Sequence, residues 1–416
     1  MTITTTTDVS ALTQPLVLPN GTVVPNRIAK AALSECLSSP GFAPGAEIKT
    51  LYRRWADNGQ GMTITGNVMV DERYIGEPGN VVVEDERHLE DLVEWASIVK
   101  SGGAVALVQI NHPGRQTPRT LVSKPVAPSA IAVPGMAGSF AMPRELTNDE
   151  IHDIIRRFAT TARIVTQAGF DGVQIHGAHG YLVSQFLSPL ANQRTDDWGG
   201  TPEKRRRFVL ELVAAIRAEI GDKILSIKLN SADFQRGGFS EDESLQVVDA
   251  LVEAGIDLLE VSGGTYSSAA MLGVNPDVRE STRKREAYFL DYALRVRAAH
   301  PELPLMLTGG FRSAEAMNDA VASGGIDLVG LGRPLTLQPD IPGALLDGAA
   351  DRAYVKVHQT GVRLIDSLTE LTYYTVNMWR MGDRKEPKPT RHPAVAVAIY
   401  MAKHGVDAVR VGGRAK

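Results

Sequence analysis

The chain has 416 residues, of which 43% are hydrophobic, 6% aromatic and 22% charged, with 39 glycines. That is ample apolar material for one large domain or two ordinary ones, and the glycine content suits an enzyme with many tight strand-to-helix connections better than a coiled coil or a disordered scaffold. A formal net charge of −4 gives no electrostatic reason to bind nucleic acid or an anionic membrane, and a lone cysteine, Cys36, excludes an intrachain disulfide, a thiolate-held Fe–S cluster and a Cys-based zinc site.

The opening "MTITTTTDVSALTQ" has neither a basic n-region nor an apolar h-region, so a cytoplasmic protein is expected. Three short apolar runs come first: "RIAKAAL" (27–33), "MTITGNVMV" (62–70) and "AVALVQI" (104–110). A capping box, Thr147-Asn148-Asp149-Glu150, then predicts the start of a helix whose Ile151, Ile154, Ile155, Phe158 and Ile164 share one face and which stops at Gly169. "GVQI" (172–175) follows, then a helix opening at Thr201-Pro202 and stopping near Gly221. The basic run Lys204 to Arg207 lies in its first turns and reads as a solvated or salt-bridged face rather than a nucleic-acid patch. "ILSIKL" (224–229) leads to a second capping box, Ser240-Glu241-Asp242-Glu243, and a helix ending at Gly255. "DLLEV" (257–261), "PLMLTGG" (304–310) and "IDLVGLG" (326–332) complete the series.

Near-continuous apolar strands separated by helix-sized intervals imply a parallel sheet, and about eight such units predict a (β/α)₈ TIM barrel over residues 1–340. No G-x-G-x-x-G follows the first strand, which argues against a nicotinamide-binding Rossmann domain. In such a barrel the chemistry lies where the strands end. Ser34 follows the first, Gln109 and His112 stand at the third, and His176, His179 and Tyr181 follow the fourth. Lys228 ends the fifth, Ser262-Gly263-Gly264 follow the sixth, and Gly309-Gly310 and Gly332-Arg333 follow the last two.

The two glycine pairs occupy the loops that bind phosphate in this architecture, where close backbone approach and the Arg333 fork suit an anion, though glycine pairs are also ordinary turns. Gln109 matches the N–H/C=O edge of a heterocycle, or is a hydrogen-bonded rim residue. Lys228 is either ion-paired or aimed at a ligand that gains negative charge, where a charge about 4 Å away is worth roughly 4 kcal/mol at an effective dielectric near 20. His176 and His179 lack the spacing and third ligand of a zinc site, and no G-x-S-x-G marks a nucleophilic serine. Two imidazoles projecting together suit one carbonyl or phenolate oxygen, with Tyr181 as proton donor; a purely structural pair is the alternative.

The segments "PNRIAKAALSE", "VQINHPGRQ", "GFDGVQIHGAHGYLVSQFLSPLANQRTDDWGGTPEKRRRF", "LTGGF" and "GLGRPL" stand in order from about Leu16 to Pro339. Together they resemble the old yellow enzyme family of flavin-dependent ene-reductases and NADH:flavin oxidoreductases. The resemblance implies tightly bound FMN, with Ala32, Leu33 and Ser34 passing the flavin ring, Gln109 at its pyrimidine edge and Lys228 near N1 and the C2 oxygen. Gly309, Gly310, Gly332 and Arg333 would hold the phosphate, His176 and His179 the substrate oxygen, and Tyr181 would be the proton donor. It also implies a ping-pong reaction in which NAD(P)H reduces the flavin and leaves before an α,β-unsaturated carbonyl compound accepts hydride at its β-carbon. The pattern departs from the family at three places: Lys228 where arginine is frequent, Trp198 where tyrosine is usual, and Ser34 where some members carry a flavin-tuning cysteine. Cys36, two residues on, is not assigned that role. Competing readings are a flavin oxidase or dehydrogenase of the same fold, a cofactor-free barrel lyase or isomerase acting on a phosphorylated substrate, and a non-catalytic binding barrel.

Residues 341–416 lie outside the resemblance. "VHQTGVRLIDSLTELTYYTVNMWRMG" reads as an amphipathic helix, "DRKEPKP" as a linker and the stretch from about Ala394 as a short apolar helix. This extension is expected against the barrel bottom or a second subunit of a homo-oligomer. Its apolar run "PAVAVAIYMA" is too short to span a bilayer.

Overall fold

The structure, a computed structural model, describes residues 7–134, 138–262, 278–355 and 363–412. Eight strands form the barrel: β1 (Ile28–Lys30), β2 (Met62–Ile64), β3 (Val105–Asn111), β4 (Gly172–Gly177), β5 (Ile224–Asn230), β6 (Leu258–Ser262), β7 (Leu305–Thr308) and β8 (Leu328–Leu331). Each pairs in parallel with the next, and β8 pairs with β1 through Val329↔Ile28, so the sheet closes with no free edge.

Around it lie α1 (Ala46–Ala56), α2 (Leu89–Lys100), α3 (Asn148–Gln167), α4 (Pro202–Ile220), α5 (Glu241–Glu253), α6 (Val278–Ala299) and α7 (Ala314–Ala322). Both capping boxes form: the Thr147 hydroxyl accepts from the Glu150 amide at 3.3 Å while Glu150 accepts from the Thr147 amide at 2.9 Å, and Ser240 and Glu243 repeat the exchange at α5. After α3 and α5 the chain turns at Gly169 (φ +106°) and Gly255 (φ +83°), a backbone conformation that costs glycine little. The basic run is salt-bridged, as one of the two expected readings had it. Arg205 is buried, donating to the Leu187 carbonyl and the Glu243 carboxylate, whereas Lys204 reaches Asp197 at 3.1 Å and Arg207 reaches Glu211 at 2.6 Å.

Strand alternation sends every second residue inward. Low in the barrel these are apolar: Ala29, Ala31, Met62, Ile64, Val105, Leu107, Ile224, Leu258, Met306 and Leu328 form one buried cluster, joined by Leu16, Leu18 and Val24 of an N-terminal hairpin that closes the bottom. Higher up the same alternation turns polar, with Gln109, Gln174 and Ser226, then Asn111, His176, Lys228 and Glu260, then Asn230 and Ser262, all buried. The barrel is an apolar plug carrying a polar cup.

Beyond β8 come the short helices Pro334–Leu337 and Ile341–Leu346, then α8 (Arg363–Gly382) and α9 (Pro393–Gly412). Of the two places expected for the extension, the barrel bottom or a second subunit, the first is not where it lies: α8 packs on α1 and reaches the rim where strands end, with Trp379 Nε1 donating to the Glu35 carbonyl at 2.9 Å. The Tyr400 ring of α9 stacks on Trp379 at 5.5 Å, with Lys403 4.6 Å above the indole. Trp379 therefore joins the extension to the segment after β1. Trp379→Ala should lower unfolding free energy by about 3–5 kcal/mol, as buried tryptophan deletions do; a denaturant midpoint within error of the parent would show that the extension does not support the barrel.

Candidate active site

The fourth strand delivers both histidines and the tyrosine. His176 points inward in register with Lys228, and the backbone then turns through His179 (φ +62°) and Gly180 (φ +78°). A left-handed conformation at a non-glycine residue persists only where its surroundings hold it. Here the Asn230 side-chain oxygen accepts from the His179 amide at 3.2 Å. The turn folds the His179 ring back to 5.0 Å from His176 and sets the Tyr181 ring 4.8 Å from His176, both nearly perpendicular to it.

The hydrogen bonds define one polarity for the imidazoles. The Ala178 amide donates to His176 Nδ1 at 3.3 Å, which leaves His176 Nε2 to carry its proton towards His179 Nδ1, also 3.3 Å away. His179 Nε2 then faces the Ser262 hydroxyl at 3.0 Å. The two rings are thus linked in series, not aimed in parallel at a single point as the sequence suggested. Burial depresses both pKa values well below 6.5, helped for each ring by the positive charge of Lys228, so both are neutral.

Lys228 is buried and paired with Glu260, Nζ to Oε1, at 2.9 Å. The other Glu260 oxygen accepts from Gln174 Nε2 at 2.8 Å, and Gln174 Oε1 accepts from Gln109 Nε2 at 2.8 Å. Above this chain several buried polar atoms have no protein partner among the described residues: both amide atoms of Asn111, Asn230 Nδ2 and Thr308 Oγ1.

On the opposite wall, Ala32, Leu33 and Ser34 leave β1 partly buried, and the Ser34 hydroxyl donates to the Glu77 carboxylate. Cys36 is buried at φ +53°, 3.5 Å from Ser34, and desolvation pushes its thiol pKa well above the ordinary value, so it is not a ready nucleophile. Adjacent strands β7 and β8 carry Gly309 (φ +116°), Gly310 (φ +91°), Gly332 and Arg333. Nothing lies within 4 Å of where a Gly309 Cβ would stand, and a Gly332 Cβ would meet only Leu33 side-chain carbons, the nearest at 3.3 Å. The Arg333 guanidinium lies 5.9 Å over the Tyr374 ring of α8. Gly263 and Gly264 lie outside the described residues, while Ser262 is the partner of His179.

Residues 11–351 match the NADH:flavin oxidoreductase / NADH oxidase family. The chain belongs to that family. It is 38% identical over 350 residues to the NADH-dependent flavin oxidoreductase iliE of Hypocrea jecorina (strain QM6a), a match covering 79% of this chain and 87% of that one. Its fold matches a 2-naphthoyl-CoA reductase solved with 2-naphthoyl-CoA, with a TM-score of 0.80 and 25% identity over 90% of this chain and 58% of the other. The old yellow enzyme homologue of Zymomonas mobilis shares the fold, with a TM-score of 0.70 and 22% identity over 91% and 97% of the two chains. The protein is accordingly a flavin-dependent oxidoreductase of the NADH:flavin oxidoreductase / NADH oxidase family, with FMN as cofactor and a reduced nicotinamide as electron donor.

The residues present fit FMN. A polar heterocycle needs hydrogen-bonding partners in the dry upper barrel, and Asn111, Asn230 and Thr308 supply side-chain atoms that no described residue uses. A phosphate needs exposed backbone beside a cation; Gly309 and Gly310 follow β7 and Gly332 and Arg333 follow the adjacent β8, and these residues would hold it.

Sequence reasoning missed Asn111, Gln174, Asn230 and Glu260. Each lies two residues from one that was singled out (Gln109, His176, Lys228 and Ser262), so strand alternation alone would have placed them on the same inner wall. His112 is also buried, and desolvation pushes its pKa down to about 4. With His176 and His179 it is neutral in the fold but takes up a proton near 6.5 in the unfolded chain. The unfolded state then binds more protons below that pH, so stability falls as pH drops. His112 alone, moved from 6.5 to about 4, would account for on the order of 3 kcal/mol across that window. Unfolding midpoints should therefore decline from pH 6.5 towards pH 4; a flat profile would contradict neutral burial.

Proposed function

We propose that this enzyme reduces the C=C bond of α,β-unsaturated carbonyl compounds in a ping-pong cycle driven by NADH. The observation that carries the reading is the close packing of His176, His179 and Tyr181 at a mouth that also holds the Lys228 cation. The family description and the iliE relative's name support NADH as donor.

FMN, when bound, supplies the hydride that passes from NADH to the alkene. The protein's part begins with the carbonyl oxygen. His176 Nε2–H is the donor nearest to hand, because its other nitrogen already accepts from Ala178. An incoming oxygen takes the place of His179 Nδ1 as acceptor from it, and His179 donates from its own N–H once it turns from Ser262. As hydride reaches the β-carbon, negative charge grows on that oxygen and both hydrogen bonds strengthen, which lowers the barrier rather than merely binding substrate. Neutral imidazoles suit this role, since they donate without titrating across the working pH range. Tyr181 stands beside the His176 ring, where its phenol can protonate the α-carbon.

The two half-reactions separate these roles. Under anaerobic conditions Tyr181→Phe should bleach with NADH at the parental rate yet be reoxidised by 2-cyclohexenone about 10²–10⁴-fold more slowly, the usual contribution of a positioned proton donor. An equal loss in both halves would remove Tyr181 from that role. His176→Ala should weaken binding of phenolic ligands and their long-wavelength charge-transfer band; an unchanged titration would defeat the oxygen-clamp assignment. If oxygen, but no activated alkene, reoxidises the parent enzyme, the oxidase reading replaces this one.

A further inference from the structure

We infer that Glu260 is a positioning residue that connects and tunes the two groups assigned to the flavin's pyrimidine edge. This rests on the proposed placement of Gln109 and Lys228 there. The proposal follows from the direction of one buried hydrogen-bond chain. Glu260 is fully buried at the level of Lys228, next to it in strand register. Its carboxylate faces the Lys228 ammonium at 2.9 Å, and an ionised carboxylate has only acceptors to offer. Gln174 must therefore turn its NH₂ group to Glu260, as it does at 2.8 Å, with a longer 3.4 Å contact to the Ser226 hydroxyl. That turns the Gln174 carbonyl towards Gln109, which must answer with its own NH₂, again at 2.8 Å. The Gln109 carbonyl oxygen is then the atom left pointing away from the chain, beside the remaining N–H. One fixed charge thus selects, two amides away, which rotamer of Gln109 meets a ligand, and it presents an acceptor and a donor side by side.

The same carboxylate sets how much of Lys228's charge a ligand feels. Unneutralised in a dry barrel, Lys228 would strongly favour the negative charge that reduction adds to a flavin; paired with Glu260 it favours that charge less. Glu260 therefore holds the reduction potential down, which makes the bound hydride easier to pass on. Among the described residues the opposite wall carries no second carboxylate that could substitute, since Glu77 is engaged by Ser34 and Glu35 by the Tyr52 hydroxyl and the Gly66 amide.

The test compares FMN holoenzymes by midpoint potential and by FMN dissociation constant. Glu260→Gln should raise the potential by about 30 mV or more, equivalent to a tenfold shift of a two-electron equilibrium, and weaken FMN binding about tenfold. Gln174→Leu cuts the chain but leaves the ion pair, so it should weaken FMN binding by a similar factor with the potential unchanged. Glu260→Asp, which keeps the charge, should stay near the parental potential and serves if the glutamine variant does not fold. Parental values in Glu260→Gln, or a potential that moves equally in Gln174→Leu, would overturn the inference. A parent chain that binds no FMN would instead bring down the flavin-site reading on which it rests.

Discussion

The buried contact between Lys228 and Glu260 is the constraint around which the upper barrel is organised. Two opposite charges in a dry interior are tolerable only if each is met by the other and by further hydrogen bonds, because an unpaired buried charge is costly to leave. Lys228 pairs with Glu260, the other Glu260 oxygen accepts from Gln174, and Gln174 accepts from Gln109, which joins four inward positions on β3, β4, β5 and β6 into one network. Burial, helped by the charge of Lys228 at the level of His176, keeps both imidazoles unprotonated. The electrostatics of ligand recognition and the protonation of the histidines are therefore not independent.

The plug beneath makes this arrangement affordable. Low in the barrel, the apolar inward residues and the N-terminal hairpin exclude water from below, so polar groups above it face only one another and the mouth. The extension contributes from outside: α8 reaches the segment after β1 through Trp379, and its Tyr374 lies under Arg333. Helices expected at the barrel bottom or against a second subunit thus brace the loops of the rim.

Much of this was legible in the sequence. The alternation of short apolar runs and helix-sized intervals, three of them with explicit helix start and stop residues, gave the barrel. The rim residues were legible because a polar side chain at the end of an apolar run has few structural reasons to be there. Glu260 was not, as "DLLEV" reads as a buried strand and a single carboxylate within it has no local pattern to announce its partner. The same holds for Lys30, which sits in "RIAKAAL" yet is wholly buried, its ammonium 4.6 Å over the Trp55 ring and donating to the Ile64 carbonyl at 2.9 Å. Pairings between residues on different strands are properties of register, and register exists only once the barrel has closed. The series linkage of His176 and His179 was hidden for a related reason: it depends on the left-handed turn at His179, which Asn230 of the neighbouring strand stabilises.

The central claim is that this polar cup is built around a flavin. It is tested most directly by denaturing the purified protein and measuring what it releases, by absorbance and mass spectrometry, against protein concentration. The account predicts one FMN per chain, retained through gel filtration before denaturation. Protein that is colourless, takes up no added FMN and yields none would contradict it.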